Sequence, residues 1–275
     1  MALLREHGLS PKKAFGQNFL LDPNICRKIA EAACPSGGTV VEIGPGLGAL
    51  TAPLVDRATH VVAVERDRDL APIVGRIFAS DIAAGRFEII EGDALAFDWA
   101  ELLARGPEPR ALAGNLPYLL TGRLLERATE IADRLARAVF MVQLEVAERL
   151  VASAGSKEYG GLTVFVRAAF RVDRLLVVKK GAFHPRPDVD SAVVVLTPRT
   201  DRIEETDVFR ELVKAAFGMR RKTLRNAWKA AALAFDRVEA AAEASGIDLG
   251  RRGETLEVED FARVADAYAA RSAQR

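Results

Sequence analysis

The chain has 275 residues, 39 Lys and Arg against 38 Asp and Glu, and a formal net charge of +1. That sum lacks the basic excess usual in nucleic-acid binders, although binding depends on where charge sits and not on its total. A hydrophobic share of 49% with 28% charged residues excludes global disorder, and the length allows one large domain or two smaller ones with an unstapled core. Cys26 and Cys34 are too few for a disulfide scaffold and fit no zinc spacing, while His7, His60 and His184 are scattered, so no metal site is expected. Residues 1–19 lack the apolar run of a signal peptide, and no stretch approaches the ~18 apolar residues of a membrane span. These features predict a cytoplasmic protein with no membrane partner.

Residues 1–21 read as irregular, with a basic pair at Lys12–Lys13. Asp22-Pro23 then predicts a helix start, Asp at the cap and Pro at the first helical position, running through Ile25, Ile29 and Ala33. Strands are predicted at Thr39–Ile43, His60–Glu65, Phe87–Ile90, Arg110–Gly114 and Ala138–Gln143. Helices are predicted from Ala49, over Leu70–Ala79, over Leu119–Ile131 and over Glu145–Ala154. This alternation predicts an α/β fold, a Rossmann-like, mostly parallel sheet with helices on both faces. Leu162–Phe170 and Ser191–Leu196 read as two further β-rich runs close together, an antiparallel addition at one edge. Beyond about residue 200 only helices are predicted: Thr206–Phe217, Arg220–Phe235, Val238–Ser245 and Val258–Ala270. The expected division is a domain over 1–200 and a small all-α domain over 201–275. The Ala-rich run 227–244 keeps an amphipathic rhythm and reads as packed helix.

The first chemical feature is Glu42-Ile43-Gly44-Pro45-Gly46-Leu47-Gly48 between a strand and a helix. Glycines there let a ligand approach the backbone closely. The Gly-x-Gly-x-Gly spacing departs from the dinucleotide pattern, because position 49 is Ala and position 51 is Thr, which disfavours a dehydrogenase. Glu42 beside the turn suits a cationic ligand. Glu65, ending the second strand, is placed to accept both hydroxyls of a ribose. Asp93, after the third, is placed to accept from an adenine amino group. Carboxylates at three successive strand ends suit S-adenosylmethionine, with its sulfonium and amino acid near the glycines.

Asn115-Leu116-Pro117-Tyr118 follows the fourth strand. An exocyclic amine on a base is a poor nucleophile, because its lone pair is delocalised into the ring. The Asn115 side-chain oxygen and the Leu116 carbonyl offer acceptors for its two N–H groups, favouring a tetrahedral nitrogen. Pro117 fixes the turn, and Tyr118 offers a face for an extruded base. Charge grows on the nitrogen during attack, so positioning and electrostatics matter most.

Taken in order, these segments resemble the small-subunit ribosomal RNA adenine dimethyltransferase family. The resemblance includes Phe15-Gly16-Gln17-Asn18-Phe19-Leu20, Glu42–Thr51, Glu65, Asp93 and Asn115–Tyr118. It continues through Gln143–Ala147 and Phe183–Val193 to Phe217–Asn226, and spans most of the chain. It implies that Asn18, Leu20, Gly44 and Gly46 contact the cofactor and that Asn115 serves both cofactor and target amine. It also implies that Tyr118 and Phe183 wall the flipped adenine; without the resemblance, Phe183 in its Pro-rich stretch reads equally as a core aromatic that anchors the loop. The implied reaction places two methyls on N6 of each of two adjacent adenosines near the 3′ end of small-subunit (16S) rRNA. A monomer acting within a pre-assembled 30S-like particle is the expected setting. One departure is Leu144, where relatives often carry Lys; it bears on an RNA contact and not on the chemistry. Gln17 is expected either to orient the N-terminal segment over the cofactor or to serve as an ordinary cap.

Local charge answers the near-zero sum. Residues 214–229 hold Lys214, Arg220, Arg221, Lys222, Arg225 and Lys229 and no acid, while 171–186 hold five positives and one negative. Residues 81–101 carry six acids and one base. Unbroken basic charge on a helical domain suits phosphate contacts, so Arg220, Arg221, Lys222 and Arg225 are the expected RNA-binding residues. The competing reading from another class is a non-catalytic ribosome-assembly or transcription partner on the same fold.

Overall fold

The structure, a computed structural model, describes residues 8–12 and 16–270. His7, Lys13 and Phe15 lie outside the described residues. Strand β1 is Phe19–Leu20. Helix α1, Pro23–Ala33, starts where Asp22 accepts from the Asn24 and Ile25 N–H groups, and it buries Cys26, Ile29, Ala30 and Ala33. Removing a side chain such as Ile29 from water contributes about 2 kcal/mol. Strand β2 (Thr39–Ile43), helix α2 (Thr51–Val55), strand β3 (His60–Glu65) and helices α3 (Ala71–Ile77) and α4 (Ala79–Ala83) follow. Next come β4 (Phe87–Glu91), α5 (Trp99–Leu103), β5 (Arg110–Asn115), α6 (Thr121–Glu130), β6 (Arg137–Gln143) and α7 (Leu144–Val151).

The sheet has seven strands in the order β4-β3-β2-β5-β6-β9-β7, where β7 is Phe170–Val178 and β9 is Ser191–Pro198. Strands β2 to β6 pair in parallel, and β9 runs antiparallel to β6. Every residue of β2 and β3 is buried, as expected for strands covered on both faces. The strand order reverses between β2 and β5. In doubly wound folds that reversal opens a crevice at the carboxyl ends of the strands. A two-residue strand, β8 (Phe183–His184), pairs with β1.

The edge differs from expectation in one element. Gly161–Ala169 is helix α8, not a strand, and β7 begins only at Phe170. The run Thr163-Val164-Phe165-Val166, β-branched apart from the aromatic Phe165, favours a strand locally. As a helix, however, it places Val164 and Ala168 in the apolar cluster around Phe209, Leu212 and Phe261, and that burial outweighs propensity. Thr163 stabilises the helix start, its hydroxyl accepting from the Gly160 N–H and donating to the Arg149 carbonyl.

Two compact units divide the chain: residues 1–147 with 172–198, and residues 148–171 with 199–275. The segment around α8 thus belongs with the late helices, where a single break near residue 200 is expected from the sequence. The late helices are α9 (Asp207–Gly218), α10 (Leu224–Lys229), α11 (Phe235–Ala244) and α12 (Val258–Ala270). The helix expected over 220–235 is interrupted at both ends. Residues 219–223 and 230–234 are non-helical, so the Ala-rich run is two helices joined by a turn.

Candidate functional site

The crevice at the strand reversal holds a cavity of about 380 Å³. Its walls bring together most of the residues singled out in the sequence. The N-terminal segment contributes Asn18 and Leu20, the end of β2 contributes Glu42, Gly44 and Gly46, and the ends of β3 and β4 contribute Glu65 and Asp93. Asn115, Leu116 and Tyr118 enter from the end of β5. Gly44 and Gly46 take φ of +69° and +59°, a region that only glycine enters freely. A Cβ on Gly46 would stand 3.1 Å from the Phe19 ring, so the N-terminal segment lies directly on the glycine turn.

Glu42 is only 1% exposed and accepts a 2.7 Å bond from the Thr51 hydroxyl. Burial pushes its carboxyl up to about 8, the Thr51 bond opposes the rise, and the charge on Glu65 adds to it. A buried carboxylate at a cavity wall is stabilised in its charged form by a cation brought beside it. Glu65 accepts from the Gly46 N–H at 3.0 Å through one oxygen and from the Asp67 N–H at 2.7 Å through the other. Burial raises its carboxyl above the ordinary range against the pull of those donors, and the Asp67 charge adds to the rise. Each oxygen keeps further acceptor capacity for a hydroxyl. Asp93 uses one oxygen to cap the next turn at the Leu95 N–H, 3.0 Å away, and its other oxygen lies 3.9 Å from the Arg66 guanidinium.

The Asn115 amide donates through Nδ2 to the Asn18 carbonyl at 2.9 Å. A carbonyl only accepts, so this bond assigns Nδ2 to Asn18 and leaves Oδ1 as the acceptor of the side chain. Leu116 is anchored by its N–H to the Met141 carbonyl at 3.0 Å. The Tyr118 hydroxyl lies 3.3 Å from the Ser191 hydroxyl, and burial raises its pKa above the ordinary range.

One expected wall is elsewhere. Phe183 is 4% exposed and packs in the main apolar core with Leu20, Val178 and Val193, outside the cavity lining. The β1–β8 pairing sets Phe183 opposite Leu20, and the two share that core cluster. Among the predicted RNA-binding residues, Arg220 is engaged internally, with Glu254 and with the carbonyls of Lys157 and Tyr159. Arg225 pairs with Glu239. Arg221 and Lys222 are exposed and make no ion pair among the described residues. Gln17 donates to Asp67 at 2.7 Å, fastening the N-terminal segment beside the cavity. Thr51, Asp67 and Ser191 complete the polar scaffold and were not singled out in the sequence. Asp67 lies two residues from Glu65, while Thr51 lies nine residues from Glu42 at the far end of the same glycine segment. Among the described residues, no group of three or more His, Cys, Asp or Glu is placed to hold a metal ion, and no helix is long and apolar enough to cross a membrane.

The chain matches the family model "Ribosomal RNA adenine dimethylase" over residues 8–270. It is 46% identical to the ribosomal RNA small subunit methyltransferase A of Pelotomaculum thermopropionicum, over 97% of this chain and 94% of that protein. Its identity to the protein of the same name from Geobacter sulfurreducens is 43%, covering 94% and 95%. Among solved structures it is similar to a dimethyladenosine transferase from Plasmodium falciparum, with a TM-score of 0.76 and 26% identity over 90% of this chain and 95% of that one. It is also similar to the 23S rRNA methyltransferase ErmE, with a TM-score of 0.66 and 27% identity over 92% and 100%. The site at the strand reversal therefore sits in a chain that belongs to the ribosomal RNA adenine dimethylase family.

Proposed function

We propose that this chain methylates N6 of two adjacent adenosines near the 3′ end of small-subunit (16S) rRNA, using S-adenosylmethionine and giving N6,N6-dimethyladenosine during ribosome biogenesis. The observation that carries the reading is one cavity lined by Glu42, Glu65, Asp93 and the Asn115–Tyr118 turn. The donor set fits the cofactor: a buried carboxylate for a cation, a two-oxygen acceptor for a ribose and a carboxylate at the adenine end. When bound, the cofactor supplies a methyl group on a positively charged sulfur.

The chain's own residues do the rest by positioning. Glu42 favours positive charge at the glycine turn, and Glu65 and Asp93 fix the ribose and adenine. In the first transfer Asn115 Oδ1 and the Leu116 carbonyl accept the two N6–H bonds of the target base and hold the nitrogen's lone pair out of the ring plane; in the second, one of them accepts the remaining N6–H, and each proton lost from nitrogen passes to water. Tyr118 stacks on the extruded base, steadied by Ser191. No strong general base is required, because the nitrogen's proton becomes acidic once a fourth bond forms. The first unit carries the donor site, and the helical unit binds RNA through exposed Arg221 and Lys222, with Arg220 and Arg225 buttressing that surface. The proposed setting is a monomer in the cytoplasm acting on a 30S-like particle.

The test is Asn115→Ala with undermodified small subunits as substrate. Methylation falls by about a thousandfold, of the order seen on losing one transition-state hydrogen bond, while donor binding is retained in part. Undiminished turnover would contradict the assigned role of the turn.

A further inference from the structure

Asp67 lies outside the cavity lining, yet its side chain is only 2% exposed. A buried carboxylate is costly unless its oxygens are satisfied. Here one oxygen receives the Lys12 ammonium at 2.5 Å and the Asp69 N–H at 3.1 Å, and the other receives the Gln17 amide at 2.7 Å. Lys12 also reaches Asp69 at 2.6 Å, and its main-chain N–H donates to Gln17 Oε1 at 2.7 Å. The Asp67 main-chain N–H meanwhile donates to Glu65. One residue therefore joins the N-terminal segment to the carboxylate assigned to the ribose. Burial by itself would raise the Asp67 carboxyl, but the Lys12, Asp69 and Gln17 donors outweigh it and hold it below the ordinary range.

Apolar contacts reinforce the join. Phe19 and Leu70 are buried together, with Leu9 and Leu47 packed against them, so residues on both sides of Lys12 rest on the glycine turn and on the start of α3. Without Lys12, Asp67 becomes a buried anion beside Glu65. It then takes up a proton or turns outward, and either response disturbs the Asp67 N–H that orients the Glu65 carboxylate.

We propose that Asp67 is a positioning residue for the methyl donor, and that the Lys12–Asp67 ion pair is a clasp that sets how long the donor stays bound. The inference rests on reading the cavity as the donor site. Neither residue touches the ligand; they act through Gln17 and Glu65.

The experiment titrates S-adenosylmethionine into the full-length protein by calorimetry and measures donor release by stopped flow. Lys12→Met and Asp67→Asn each raise Kd about tenfold, through faster release, a change equal to about 1.4 kcal/mol. Lys12→Arg restores the charge and returns Kd to within about threefold of wild type, as an ammonium-to-guanidinium exchange allows. The Lys12→Met/Asp67→Asn double variant binds no worse than the weaker single variant, because both remove one interaction. In turnover the loss falls on the donor's KM and not on kcat. If Asp67→Asn does not fold, Lys12→Met alone decides, since Lys12 is partly exposed. Unchanged affinity and release in Lys12→Met, with wild type binding normally, overturns the clasp and leaves the donor site standing. Absence of donor binding in wild type overturns the donor site itself.

Discussion

Replacing Glu42 by Gln keeps the side chain's size and its acceptor for Thr51 while removing the charge. Burial holds the Glu42 carboxyl at about 8 against an ordinary 4.5. That difference corresponds to about 5 kcal/mol separating the charged and neutral forms in the folded protein. Because the folded pKa is raised, the native state binds more protons than the unfolded one between those two values. Stability therefore falls as pH rises from about 5 to 8, by about 1.4 kcal/mol per unit at the steepest point. Glu42→Gln lacks that slope, so its advantage over wild type grows across the same window and levels off above it. Urea unfolding measures this, read from Trp99, which is fully buried in the same unit, in a Trp228→Phe background. The donor gives a second readout: wild-type affinity rises from pH 6 to 8 with proton release on binding, and the variant loses both effects. A stability difference between variant and wild type that is constant from pH 5 to 8 would refute the electrostatic reasoning.

Glu65→Ala removes the acceptor assigned to the ribose and raises Kd for the donor by about a hundredfold, as expected for two hydrogen bonds to a charged group; calorimetry at constant ionic strength checks it. Arg221→Ala/Lys222→Ala lowers the salt slope of RNA binding by about two, one for each phosphate that the pair neutralises in wild type. Arg220→Ala changes that slope less and lowers the thermal stability of the helical unit, because its guanidinium is committed to Glu254 and two carbonyls. Filter-binding titrations across salt concentrations, paired with melting curves, separate these outcomes.

The parallel core was legible because its signals are local. Thr39–Ile43 and His60–Glu65 are short, strongly apolar strands fully buried in the structure, and Asp22-Pro23 is a cap whose hydrogen bonds form as its chemistry predicts. The cavity wall was legible for the same reason: its carboxylates and the Asn115–Tyr118 turn lie at or just past strand ends, and strand ends converge by topology. Helix α8 was not legible. Its β-branched residues favour a strand, and only the packing of Val164 and Ala168 reverses that preference. Phe183 was placed at the cavity on resemblance, while its own surroundings also allowed a core aromatic anchoring a Pro-rich loop; it packs in the core cluster with Leu20. Lys12 and Asp67 are 55 residues apart, and no local pattern announces that the first charge neutralises the second. The split of the basic segment was equally hidden, since Glu254 and Glu239, which engage Arg220 and Arg225, are distant in sequence.

Mass spectrometry of ribosomal RNA, after incubation of undermodified small subunits with isotopically labelled S-adenosylmethionine, reads the proposed reaction at its product. It reports the base, its position and its number of methyl groups together. The predicted product is N6,N6-dimethyladenosine at two adjacent positions near the 3′ end of 16S rRNA, lost in Asn115→Ala. Label on another base, or no label at all from wild-type protein that binds the donor, would contradict it.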